Sequence, residues 1–123
     1  MEELEAQLLA DPRFAEAVAL FNAGAWYEAH DGFEALWHET NGPLRVVLQA
    51  ILQISVAQLH LERGNRHGAT VLMGEGLGRL RQSDDSALGL NLAALLARVQ
   101  PRLEALQRGE DPGTVPEPLL EAL

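Results

Sequence analysis

The chain has 123 residues, with 18 acidic side chains against 9 basic ones and a formal charge of -9; this length favours one compact domain. Every basic residue is arginine, and neither lysine nor cysteine occurs. That excludes disulfides, thiolate nucleophiles and metal ligands, iron–sulfur sites, lysine Schiff bases and a P-loop.

The start, Met1-Glu2-Glu3-Leu4-Glu5, is acidic and has neither the basic n-region of a secretory signal nor the arginine-rich character of a transit peptide. The expectation is a cytoplasmic protein. Glu2 to Ala10 reads as a short helical segment. Asp11-Pro12 is an N-cap followed by proline at the first helical position, and Phe14, Ala17, Val18 and Phe21 continue at helical spacing to about residue 22. A helix follows over about 25–39. Asn41-Gly42-Pro43 then stops one helix and starts the next, which runs over about 43–63 to Gly64-Asn65. Its apolar stretch carries Arg45, Gln49, Gln53, Ser55, Gln58 and His60, too polar for a lipid-facing span but suited to a helix buried in protein, so no membrane partner is expected. Another helix spans about 66–82, with Gly76 on its apolar face as a packing notch or a ligand-facing gap. Ser83 to Ser86 reads as a loop. A further helix follows Asn91, and Pro101 should kink or interrupt it. Pro112, Pro116 and Pro118 make 111–123 a tail, packed on or fraying from a helical domain over 1–110, with one terminal turn at Leu119–Leu123. No sustained strand alternation appears. The expected fold is all-α, a bundle of about five helices with short loops. An acidic chain with scattered arginines is also a poor nucleic-acid binder.

All six aromatic residues lie between Phe14 and Trp37. On the 25–39 helix, Trp26, Ala29, Phe33, Leu36 and Trp37 form a core stripe. His30 falls on its edge, with Tyr27 and Glu34 just beyond, while Glu28, Asp31, His38 and Glu39 face solvent. The 43–63 helix is apolar almost all round, which implies burial. Yet Gln49, Gln53 and His60 fall within about 40° of one another on its wheel. A buried polar row costs roughly 1–3 kcal/mol per unsatisfied group. The expected partners are His30, Glu34 and Tyr27, in an interhelical cluster walled by Trp26, Phe33 and Trp37.

That cluster supports four readings. His30, Glu34 and His60 are the residue types that hold a divalent metal with open positions, whose bound water would be a nucleophile for a hydrolase-like reaction. Without metal, Glu34 orients His30 as a general base, although no serine stands in a nucleophile motif. A small-molecule pocket would use Trp26, Tyr27, Trp37, Gln49, Gln53 and Asn65 as walls and orienting groups. Finally, the cluster would only fix helix packing in a structural or protein-interaction module. Asn65 also reads as a helix cap. A homo-oligomer is a candidate assembly, although no heptad seam demands one.

The pattern Phe21-Asn22-x-Gly24-x-x-x-Glu28-Ala29-His30-Asp31-x-x-Glu34-x-x-Trp37 resembles the signature of the domain-of-unknown-function family 309, small all-α prokaryotic proteins. Leu48-Gln49-x-x-x-Gln53-x-x-x-Ala57-x-x-His60 and Gly64-Asn65-x-x-Gly68-Ala69 also fit, and Gly89-Leu90-Asn91 is similar to a later family turn. Asp31 departs from the family's usual glutamate, Ala50 from glycine and Asn91 from aspartate. The resemblance implies a compact five-helix fold and no particular activity. It also implies that Glu28, His30, Glu34, Trp37, Gln49, Gln53, His60 and Asn65 act as one constellation.

Overall fold

A computed structural model describes residues 2–123. The described residues form six helices: α1 (Glu3–Ala10), α2 (Pro12–Asn22), α3 (Trp26–His38), α4 (Pro43–Glu62), α5 (Arg66–Gln82) and α6 (Leu92–Gln107). The count is six because the stretch expected as a short helical segment is a full helix, with Leu8 buried. Asp11 caps α2 by accepting from the Arg13 N–H, and Asn65 and Asn91 cap α5 and α6 in the same way. Gly24 and Gly64, both at φ +76°, turn the chain out of α2 and α4.

Each helix packs on its chain neighbour, most extensively α4 on α5. The aromatic core lies where α2 meets α3. Phe21 stands edge-on to Trp26, with ring centroids 5.1 Å apart, and Phe14 and Phe21 both meet Phe33 edge-on. Such pairs add about 0.5–1.5 kcal/mol each beyond burial. Gly76 is a packing notch: a β-carbon there would lie 3.0 Å from the Ala50 carbonyl oxygen of α4 and 3.1 Å from Ile54. Helix α4 is long and apolar enough to cross a membrane by composition alone, but here it lies between α3 and α5. Pro101 does not interrupt α6. Its missing N–H frees the Ala97 carbonyl, and both residues sit on the exposed side, where water can bond that oxygen.

Two further expectations change. First, Ser86–Ala87 (β1) pairs antiparallel with Leu90–Asn91 (β2) in a minimal hairpin. Its turn residues Leu88 and Gly89 have φ +56° and +70°, positive at both centres as in a type I′ turn. Leu88 takes this unfavourable backbone while almost wholly buried, so packing outweighs the local strain. Second, the terminal turn does not form. After a short 3-10 turn at Pro112–Thr114 the tail runs extended, and it docks. Asn22 accepts from the Leu120 N–H at 2.7 Å and donates to the Leu120 carbonyl at 2.9 Å. Glu121 and Leu123 bond the backbone of Asn91 and Gly89. Leu120 is buried in the core.

Candidate functional site

The predicted cluster separates into three groups. The first lies on α3. His30 Nε2 donates to Glu34 Oε2 at 2.8 Å, and His38 Nε2 is 3.7 Å from Glu34 Oε1. Tyr27 sets its ring edge-on to His30, with centroids 5.9 Å apart. Asp31, expected on the solvated side, is exposed but reaches back to within 3.3 Å of His30 Nδ1. With Nε2 donating to Glu34, Nδ1 of a neutral ring carries only a lone pair. That atom and Trp37 Nε1 are sealed from solvent and have no hydrogen-bond partner among the described residues. Trp37 is half-buried, and the Arg45 guanidinium of α4 lies 4.2 Å above its ring. Such a contact is worth about 0.5–1 kcal/mol at an exposed site.

The second group belongs to α4 and α5. Gln53 accepts from Arg79 at 3.1 Å. Gln49 is half-buried and takes no hydrogen bond to another described side chain. The expectation of a fully buried polar row is thus corrected: Arg45, Gln49, Gln53, Val56 and His60 form the half-exposed line of α4. Half-exposed groups stay within reach of water, so the row does not carry the cost of full burial.

The third group is a helix junction. Asn65 accepts from the Gly68 N–H through Oδ1 at 2.9 Å, and its Nδ2 donates to His60 Nδ1 at 3.2 Å. The cap function of Asn65 therefore fixes the amide, and the amide fixes the tautomer of His60. A side chain at Gly68 would strike this amide.

His60 does not join His30 and Glu34. Among the described residues no three His, Asp or Glu side chains are placed to hold a metal ion. The reason is axial position. Trp37 meets Arg45 across an antiparallel helix pair, which sets His30 level with about residue 52 and leaves His60 roughly 12 Å further along at 1.5 Å per residue. Nor do Trp26 and Trp37 wall one pocket. Trp26 is 3% exposed and packs on Phe21, while Trp37 lies about three turns of α3 away beneath Arg45. The constellation implied by the resemblance is therefore not one cluster.

One buried polar pair escaped the sequence reading as a pair, although Gln58 stands among the polar residues noted on α4. Arg102 of α6, 5% exposed, donates through Nε to Gln58 of α4 at 3.2 Å and through Nη1 to the Val115 carbonyl at 2.6 Å. Burial holds its pKa below the usual arginine value. The signal was available: Arg102 continues the α6 core stripe of Leu95, Val99 and Leu106 at helical spacing.

The fold and these groups define a small all-α domain. Residues 14–72 match the family described as Domain of unknown function (DUF309), and over that segment the chain resembles this family, as its motifs implied. No curated protein matches the chain.

Proposed function

We propose that the protein is an interaction module working through the outer face of α3 and the adjoining edge of α4, and that its first partner is a second copy of the same chain. One observation carries this reading. The bonds of His30, Glu34 and His38 run within α3 and do not tie it to α4. A network that served only to fix helix register would cross between them. Instead these side chains present a polar and aromatic surface, with Tyr27 51% exposed at one end of it. Tyrosine and arginine are the side chains that anchor interfaces best, since both offer area and directional bonds.

The charge layout favours self-association. Asp31 and Glu34 lie along the middle of α3, while Arg45 sits on Trp37 near its end. A two-fold axis crossing α3 near Glu34 would set Arg45 of one copy against Asp31 of the other, twice per dimer. Light scattering across a concentration series tests this. The wild type is expected to dimerise, and Asp31→Arg and Arg45→Asp each to dissociate the dimer while leaving helical circular dichroism intact. The double charge swap should restore it. A wild type that stays monomeric at its highest soluble concentration, or a double swap that fails to recover, would overturn the reading.

A further inference from the structure

A cleft of about 450 Å³ opens where the end of α4, the start of α5, α6 and the tail meet. Its lining combines one buried cation with two carboxylates that hold no side-chain hydrogen bond. Arg102 lines the cleft and forms no ion pair among the described residues. Its Nε and Nη1 are committed to Gln58 and to tail carbonyls. Nη2 makes no such bond, and it is not among the sealed unpartnered atoms, so it keeps contact with solvent. The other guanidinium, Arg66, already donates to the Glu110 carbonyl. Asp111 is used to cap the turn at Gly113. Glu62 and Glu117 also line the cleft, are exposed, and hold no side-chain hydrogen bond. Leu61 and the edge of Trp26 add an apolar wall.

A guanidinium nitrogen held in place by its own backbone partners is a preorganised carboxylate donor. The two free carboxylates repel a plain anion and attract an ammonium group. We infer that this cleft binds a small zwitterion: a carboxylate on Arg102 Nη2, an ammonium group between Glu62 and Glu117, and a short apolar side chain against Leu61 and Trp26. An α-amino acid has this chemistry. The site does not depend on the dimer face, and its test reads a different surface.

The experiment is a titration of the full chain followed by ¹H–¹⁵N correlation spectra, with three probes. L-leucine carries both charges, 3-methylbutylamine lacks the carboxylate, and 4-methylpentanoate lacks the amine. L-leucine is expected to give saturable shifts at the Gly64 and Gly113 amides and the Trp26 indole. Each half-molecule should bind at least about tenfold more weakly, the loss of one charge-assisted contact. Arg102 stays intact because it holds the tail. The double substitution Glu62→Gln, Glu117→Gln should erase most of the preference of L-leucine over 4-methylpentanoate. No saturable shift at these residues, equal affinity for all three probes, or an unchanged preference in the double variant would each overturn the inference.

Discussion

Arg13 bonds two carboxylates at once. Its guanidinium donates to Glu39 at 2.6 and 3.1 Å and to Asp11 at 2.7 Å, joining the start of α2 to the end of α3. The side-chain bond from Arg13 holds both Asp11 and Glu39 below their ordinary carboxylate values. A carboxylate whose pKa is lowered by folding stabilises the fold above its unfolded pKa, near 4, and that stability is lost as pH falls through the folded value. The melting-temperature gap between wild type and Arg13→Ala is therefore expected at full size at neutral pH. It should shrink below about pH 4 and narrow at high salt, because exposed pairs are screened. Thermal melts from pH 7 to pH 2 check this, and a gap that widens toward acid would contradict it.

At the scale of helices, the three glycines of α5 separate two effects that composition alone confounds. Each should cost about 0.5–1 kcal/mol relative to alanine in a helix interior. Gly74 and Gly78 have open space where a β-carbon would go, but Gly76 faces the Ala50 carbonyl at 3.0 Å. Gly74→Ala and Gly78→Ala are expected to raise stability by about 0.5–1 kcal/mol each. Gly76→Ala should lower it by about 1–3 kcal/mol, because a backbone oxygen cannot step aside as a side chain can. Denaturant melts of the three variants decide between this and a uniform glycine penalty.

The same scale explains what the sequence made legible. Asp11-Pro12, Asn41-Gly42-Pro43 and Gly64-Asn65 set helix limits to within about a residue, because caps and breakers act locally. The pairing of His30 with Glu34 was legible for the same reason, being a contact between neighbours four apart on one helix. His60 was placed wrongly because a helical wheel gives direction around an axis and not position along it. The short 39–42 connection makes α3 and α4 antiparallel neighbours, and counting outward from it would have separated His60 from His30. The hairpin was not legible at all. Its strands are two residues long, and Leu88 occupies a left-handed position that sequence rules reserve for glycine or asparagine.

Across the whole molecule, the proline-rich tail is part of the fold. Proline content argued for an irregular segment, and irregular it is, but irregular backbone can still dock if its polar groups find partners. Asn22 supplies both bonds for Leu120, 98 positions away in the chain, and Arg102 takes the carbonyls of Pro112 and Val115. The tail in turn bonds the hairpin between α5 and α6. Leu120→Ala should therefore cost about 2–4 kcal/mol, as for a buried leucine in a core. Asn22→Ala should cost about 1–3 kcal/mol, since it leaves the Leu120 N–H and carbonyl without their partner. Both substitutions release the same segment, so the double variant is expected to lose clearly less than the sum of the two. Chemical denaturation of the four proteins in this cycle measures that difference. Strict additivity, or single costs below about 0.5 kcal/mol, would show that the tail only rests on the surface.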